Sequence, residues 1–332
     1  MLKAAVVGLG SMGKRRLRCL KALGVQVVWG ADPNAERRAE AARLFSVPTR
    51  AQATAAALAE ADLLIVSTPP FAHAPYIAQA LAAGKPCFVE ASVMLSGLPA
   101  LWALARRRKA LVWPSCTMRY FRGPRLVGEL LSKRVAGKPL SFIYHSGQYL
   151  PDWHPWEKLS DYYVSRPETG GGREIVPFEL AWLTGLFGRA KKVKAQQACL
   201  RRFAPGVEDL YQVLIEFESG IRGMLQVDVL ARMPTRRFAL EGTEGRLVWD
   251  QYHHQGAHVL VERPGRAPRR LAVVEPKPAR GINSDGPYIA ELLDFIKDVR
   301  AGRAAPAYTL ADDIEILRTL ERMRAQCHEK AL

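Results

Sequence analysis

The chain reads as two domains, an α/β domain on a doubly wound parallel sheet followed by an α+β domain with a mainly antiparallel sheet. Three observations predict this. The first 115 or so residues alternate short apolar runs with alanine-rich amphipathic stretches, the pattern of successive strand–helix–strand units. The spacing Gly8-x-Gly10-x-x-Gly13 falls where the first apolar run meets the first amphipathic stretch. From about Leu140 the texture changes to period-two strands separated by turn residues. At 332 residues the chain exceeds one typical domain, and the expected division is 1–119 and 120–332.

Residues Lys3 to Val7 form the first strand and enter the glycine loop directly. Gly8 permits a tight turn, Gly10 lets the backbone approach a pyrophosphate, and Gly13 lets helix and strand pack closely. The helix-like Lys14 to Leu20 follows the loop at once, so the anion would lie on its N-terminus, with Ser11 and Met12 in the loop counted among the cofactor-binding residues. Asp32 ends the next apolar run, Val25 to Trp29 and beyond, at the distance expected of a ribose ligand. Together these predict dinucleotide binding.

A helix from Pro33 to about Leu44 follows, with Asp32 or Asn34 as its cap and Pro33 suited to a first turn. Ala61 to Ser67 is a strand stopped by Thr68-Pro69-Pro70, and a helix from about Ala72 to Ala83 ends at Gly84-Lys85-Pro86. The strand Pro86 to Val89 delivers Glu90 to its carboxyl end. Ligands of open parallel sheets bind outside those ends, which places Thr68, Pro69 and Glu90 beside a cofactor. Another helix and the strand Ala110 to Trp113 complete the domain, and Arg119 to Arg125 begin the crossing.

In the second half, Ser141 to His145, Leu210 to Phe217, Gly223 to Val229 and Phe238 to Leu240 read as strands. Gly242 to Gly245 reads as a turn, and Glu179 to Leu186 as an interrupting helix. Helices over Tyr288 to Arg300 and Leu310 to His328 close the chain, while the proline- and arginine-rich Glu262 to Arg280 is expected as an exposed hairpin or loop.

The formal charge of +16, from 48 basic and 32 acidic residues, is the compositional outlier. Its basic residues come in short clusters such as Lys14-Arg15-Arg16, Arg106 to Lys109 and Arg269-Arg270, with no long basic arm or zinc-finger spacing. That distribution argues against a nucleic-acid partner and leaves an anionic small molecule or a solvated basic surface. Five cysteines scattered without a Cys-x-x-Cys pair argue against a disulfide framework and a structural zinc site, and no metal site is expected. No apolar stretch reaches membrane-spanning length and Met1-Leu2-Lys3 leads straight into a strand, so a cytoplasmic protein is expected.

With the glycine loop, Asp32, Ser67 to His73, Ala80 to Pro86 and Glu90 in this order, the chain resembles the Gfo/Idh/MocA family of sugar and inositol oxidoreductases. Arg119-Tyr120-Phe121, Glu241 to Gly245 and Tyr288 to Thr319 extend the likeness to the end, and Gly147 to Pro155 is similar to members linked to surface polysaccharide and nucleotide-sugar metabolism. The resemblance implies a nicotinamide-binding Rossmann domain and a C-terminal sheet with one face toward substrate and the other often forming a homodimer or homotetramer. Asp32 would accept the adenosine ribose hydroxyls, which favours NAD over NADP, although Arg37 or Arg38 could compensate a 2′-phosphate. His73 would sit near the nicotinamide, or else be a surface histidine at a helix N-terminus.

The catalytic pattern departs from the family. Where members usually carry Glu-Lys-Pro, this chain reads Glu90-Ala91-Ser92. Aligning back from Leu186-Phe187-Gly188 to the loop Gly170-Gly171-Gly172 puts Glu174 at the family's first acid, Phe178 at its general-base histidine and Ala181 at its second acid. Glu174 and Glu179 are the nearest replacement bases, since acids near a closed apolar site can titrate near neutrality; a helix-capping acid and a solvated helix face are their bland alternatives. Arg119 would position a carboxylate or phosphate, and Tyr120, His154 and Tyr162 could hold or protonate a sugar. The tyrosines and tryptophans from Tyr144 to Tyr163 could stack on a sugar ring or form a domain interface. The expected function is NAD-dependent hydride transfer on a carbohydrate-like, anionic or neutral, substrate with a non-standard acid/base set; the alternative is a non-catalytic NAD-binding sensor.

Overall fold

The computed structural model describes residues 1–155, 157–275, 285–304 and 306–328. The chain divides into two compact units, 1–117 with 276–314, and 118–275 with 315–332. The described residues 285–314 thus group with the first unit, where the sequence had placed everything after 119 in the second domain.

The first unit alternates strands and helices: β1 (Lys3–Val7), α1 (Ser11–Ala22), β2 (Gln26–Ala31), α2 (Ala35–Phe45), β3 (Thr49–Arg50), α3 (Ala55–Ala59), β4 (Leu63–Val66), α4 (His73–Ala82), β5 (Cys87–Val89), α5 (Leu98–Arg108) and β6 (Val112–Pro114). The strands pair in parallel in the order β3-β2-β1-β4-β5-β6. Parallel strands covered on both faces must be apolar throughout, and Leu63 to Val66 are fully buried. The order reverses between β1 and β4, so the loops after Val7 and Val66 open at a switch point, where such sheets bind ligands. Asn34 caps α2 by accepting from the Arg37 amide at 3.0 Å, which settles the choice between Asp32 and Asn34.

The second unit holds α6 (Arg122–Ser132), β7 (Pro139–Tyr149), α7 (Gly172–Phe187), β8 (Ala190–Ala198), β9 (Leu210–Phe217), β10 (Arg222–Asp228), β11 (Leu230–Gly242), β12 (Gly245–Asp250), β13 (His258–Glu262) and β14 (Arg269–Ala272). They form an eight-stranded sheet in the order β14-β13-β12-β11-β7-β10-β9-β8, antiparallel except for the β7–β10 pair. The Gly242–Gly245 turn joins β11 to β12 as the sequence predicts. The expected hairpin over Glu262 to Arg280 is present as β13–β14, and residues 276–280 lie outside the described ones. One sheet face is an aromatic core in which Tyr144, Trp182, Phe238 and Trp249 meet at ring separations of 5.2 to 6.3 Å. The other face is open. There Ile143 of β7 stands opposite Met224 of β10, itself opposite Leu214 of β9, and the three are 60, 52 and 54% exposed.

Helix α7 begins at Gly172, seven residues before the predicted start, and carries Pro177 inside it. A proline there removes one backbone hydrogen bond. The chain closes with α8 (Gly286–Arg300) and α9 (Leu310–His328).

Candidate functional site

In the first unit the glycine loop is sterically determined. Gly8 has φ +84°, and a Cβ on it would lie 2.4 Å from the Ser67 carbonyl oxygen. A Cβ on Gly13 would lie 1.8 Å from the Gly8 carbonyl oxygen. By contrast, a Cβ on Gly10 would meet nothing nearer than Arg37 Nη1 at 3.8 Å, so the backbone there is open to a ligand. Helix α1 has neither a side-chain cap nor an acid in its first turn. The amides around Ser11 and Met12 therefore leave the positive pole of a twelve-residue helix for an anion.

Asp32 is buried, and its Oδ2 accepts from the Leu9 amide at 2.8 Å while Oδ1 accepts from Asn34 at 2.9 Å. These bonds fix the carboxylate beside the glycine loop and leave lone pairs on both oxygens. Arg38 donates to the carbonyls of Asp32 and Pro33, each at 2.8 Å. The cradle fits a dinucleotide: a tight turn, an open glycine, an uncapped helix pole and an oriented acid.

At the neighbouring loop, His73 Nε2 lies 2.9 Å from the Thr68 carbonyl oxygen, which can only accept, so Nε2 carries the proton. His73 is 2% exposed, and burial, opposed by that bond, lowers its pKa to about 4. The surface-histidine alternative is therefore excluded. Its Nδ1 and the Thr68 hydroxyl are buried without a hydrogen-bond partner among the described residues, and Pro69 joins them in the same loop.

Glu90 does not project freely from β5. Its oxygens accept from Arg16 Nε at 2.6 Å and Nη2 at 2.9 Å. Arg16, 0% exposed, also reaches Glu291 at 3.1 Å. Glu291 in turn accepts from the Cys116 amide, the Ser115 hydroxyl and the Thr117 hydroxyl. Burial alone would lower the Arg16 pKa, but Glu90 and Glu291 more than offset it. Within the basic cluster Lys14-Arg15-Arg16, Arg16 is neither a solvated surface charge nor open to an anionic ligand but the buried link between α1, β5 and α8. Glu90, expected as a cofactor ligand, is the half-buried end of that link.

In the second unit, the two candidate bases have opposite settings. Glu179, 0% exposed, accepts from Ser146 and Arg236 at 2.8 Å on Oε1, and from Tyr144 and Trp182 on Oε2. Every direction is occupied by sheet or helix, so Glu179 is a buried structural acid and neither a base nor a solvated face. Glu174, in the first turn of α7, accepts from the Tyr163 hydroxyl at 2.6 Å on Oε1, while Oε2 is buried without a partner among the described residues. Burial pushes its pKa up to about 7, only partly opposed by the Tyr163 bond.

Around Glu174 the loop after β7 gathers aromatic and polar groups. Trp153, Leu159, Tyr162 and Tyr163 pack with Phe203 on a core of Leu150, Val164 and Val229. His154 stacks on Tyr162 at 4.6 Å and meets Glu157 at 3.0 Å. The Tyr162 hydroxyl and Trp153 Nε1 are buried without partners among the described residues. Burial and then the charge of Glu174 raise the Tyr162 pKa. Arg119 donates from Nε to the Ala181 carbonyl at 2.7 Å and lies along α7, and Phe178, at the position of the family's histidine, follows Glu174 by four residues on the same helix and is half-buried. Tyr163 was not singled out from sequence; its eleven-residue separation from Glu174 carries no periodic signal. Among the described residues, no group of His, Cys, Asp and Glu is arranged to hold a metal ion, and no helix is long and apolar enough to cross a membrane.

A parallel sheet with a glycine cradle at its switch point, joined to a unit with an open-faced antiparallel sheet, defines a two-domain dinucleotide-binding protein of the Rossmann type. Residues 2–115 match the profile of an oxidoreductase family with an NAD-binding Rossmann fold, and residues 125–248 match the Gfo/Idh/MocA C-terminal domain. The chain belongs to the Gfo/Idh/MocA family of oxidoreductases.

Among solved structures the chain is similar to an oxidoreductase from Agrobacterium radiobacter in complex with NAD+, L-tartaric acid and magnesium, at TM-score 0.87 and 15% identity over 98% of this chain and 96% of that one. It is also similar to levoglucosan dehydrogenase in complex with NADH and levoglucosan, at TM-score 0.84 and 19% identity over 99% and 97%. A third is UDP-N-acetylglucosamine 3-dehydrogenase from Acidithiobacillus ferrooxidans, at TM-score 0.77 and 18% identity over 98% and 97%. No curated protein matches the chain.

Proposed function

We propose that the chain is an NAD(H)-dependent oxidoreductase of a sugar or nucleotide-sugar-like substrate, with Glu174 as the proton acceptor. The observation that carries this is the Glu174 carboxyl: poised at about 7, fixed on one oxygen by Tyr163 and unpartnered on the other. Bound NAD+ supplies the hydride acceptor. Glu174 Oε2 takes the proton of the substrate hydroxyl as its carbon gives up hydride, and returns it in the reverse direction. Tyr163 orients the carboxyl, Tyr162 offers a hydroxyl to the sugar, and the aromatic loop excludes water. Gly8, Gly10, Ser11, Met12 and Gly13 hold the pyrophosphate and Asp32 the ribose. A carboxylate there repels a 2′-phosphate and so favours NAD over NADP, while Thr68, Pro69, His73 and Glu90 line the nicotinamide side. Sugar dehydrogenases among the structural relatives support the substrate class.

The departure at Ala91 and Phe178 from the family's lysine and histidine keeps a second reading, a sensor that binds NAD without turnover. NADH fluorescence titration, followed by NADH consumption across a panel of keto-sugars and nucleotide-sugar ketones, separates the two. Consumption abolished by Glu174→Gln supports the enzyme. Binding without consumption supports the sensor, and no binding overturns both.

The open sheet face, with Ile143, Leu214 and Met224 in adjacent register, supports a homodimer or homotetramer through that face. Light scattering of Met224→Lys should then report a smaller assembly than the parent protein.

A further inference from the structure

We propose that Arg201 and Arg232 form an anion subsite for a phosphate or diphosphate carried by the substrate. This rests on the oxidoreductase reading above and narrows its substrate to a phosphorylated sugar.

The two arginines come from distant segments and converge on one ring. Tyr149 ends β7 opposite Leu230, and the register breaks between Leu230 and Thr235, so Arg232 stands in an irregular stretch of β11. Its guanidinium lies 3.8 Å over the Tyr149 ring centroid. Arg201 approaches the same ring, with its guanidinium carbon at 5.8 Å and Nη2 3.5 Å from the Tyr149 hydroxyl. It is also 5.7 Å from the Phe203 ring, which meets Tyr149 edge-on at 5.6 Å.

The backbone beneath Arg201 is fixed. Fully buried Asp209 accepts the Leu200 amide at 2.8 Å and the Arg201 amide at 2.6 Å. The buried arginines differ in kind, since Arg16, Arg173 and Arg236 each reach a carboxylate. Arg201 and Arg232 are exposed, and among the described residues neither forms an ion pair.

One arginine is enough to satisfy the face of one tyrosine, and an exposed cation–π contact contributes only about 0.5–1 kcal/mol. A second guanidinium at the same ring adds like-charge repulsion, which a bridging anion reverses. Guanidinium forks bind phosphate oxygens in pairs, and two forks suit a dianion. The position also connects to the acid. Leu150, next to Tyr149, and Phe203 pack in the same cluster as Tyr162 and Tyr163, and Tyr163 holds Glu174. A sugar at Glu174 with its phosphate toward Arg201 and Arg232 follows one continuous aromatic surface.

The test is calorimetric titration of the full chain, saturated with NADH so that the glycine loop is filled, using inorganic pyrophosphate, UDP and glucose as probes. Pyrophosphate and UDP should bind, glucose should not at the same concentrations, and the affinity should fall at least tenfold in Arg232→Gln and in Arg201→Gln. Lysine at either position should restore part of it, because charge returns without the fork. UDP tighter than pyrophosphate assigns the ligand to a nucleotide diphosphate; equal affinities assign it to phosphate alone. Circular dichroism of the variants should match the parent, since both side chains are exposed. No binding of either anion, or binding unchanged in both variants, overturns the subsite. The loss in the arginine variants is read independently of turnover, so failure of the Glu174 assignment leaves this test intact and the converse holds.

Discussion

The Tyr163 hydroxyl donates to Glu174 Oε1 across 2.6 Å, while the other carboxylate oxygen is left without a partner among the described residues. One oxygen is held and the other is available. For a group titrating near 7, that asymmetry sets a pH profile. Oxidation of an alcohol requires the carboxylate, so kcat/KM in that direction should rise with pH and level off above about 7. Ketone reduction requires the acid form and should fall across the same range. Glu174→Gln should lower either rate by roughly 10²- to 10⁴-fold and remove the limb. An unchanged profile in steady-state assays of the variant would exclude Glu174 as the base.

The same shift acts on stability. The Glu174 carboxyl is raised from 4.5 to about 7, so between those values the folded chain keeps a proton that the unfolded chain releases. Its contribution therefore falls as pH rises through that window and is flat above it. Thermal melts of Glu174→Gln against the parent should show the variant gaining relative stability from pH 5 to pH 8. A constant difference would contradict the burial of this group.

His73 has the opposite sign. Its pKa is lowered from 6.5 to about 4, so the unfolded chain binds the proton first and stability falls as pH drops through that interval. Its imidazole should remain neutral at pH 5.5, with the proton on Nε2, in a 15N-resolved NMR titration. An ordinary titration near 6.5 would show that the loop at Thr68 is open.

Glu179→Ala should be a folding defect. It leaves Arg236 buried without its counter-charge and strips partners from Tyr144 and Ser146. Breaking such a buried pair costs about 3–5 kcal/mol. Denaturant unfolding should show a loss of that order, and a loss under 1 kcal/mol would contradict the closed network.

The parallel sheet was legible because buried parallel strands are apolar throughout, and the glycine spacing fixed where its first loop opens. Two-residue β3 and five-residue α3 are too short for a periodic signal, and β8, Ala-Lys-Lys-Val-Lys-Ala-Gln-Gln-Ala, is an edge strand whose polar side chains conceal it. Pro177 made α7 look shorter than it is. The buried charges did have a signal. Arg16 falls in the series Gly13, Arg16, Leu17, Leu20; Glu179 in Val176, Glu179, Leu180, Leu183; and Glu291 in Tyr288, Glu291, Leu292, Phe295. Each occupies an apolar register position of its helix, which marks an ion with a buried partner more securely than its neighbours in sequence do. The Tyr163–Glu174 pair had no such signal, because an irregular loop brings it together.

The Arg16–Glu291 contact spans 275 positions of sequence. On a ribosome, Arg16 emerges well before α8, so its guanidinium waits for a carboxylate made 275 residues later. Until α8 arrives, Arg16 has only Glu90 and the Ser115 hydroxyl, and Ser115, Cys116 and Thr117 lack their common acceptor. The cradle is translated long before the network behind it is completed, so a chain stopped before residue 291 carries the whole glycine motif without the acid that closes that network.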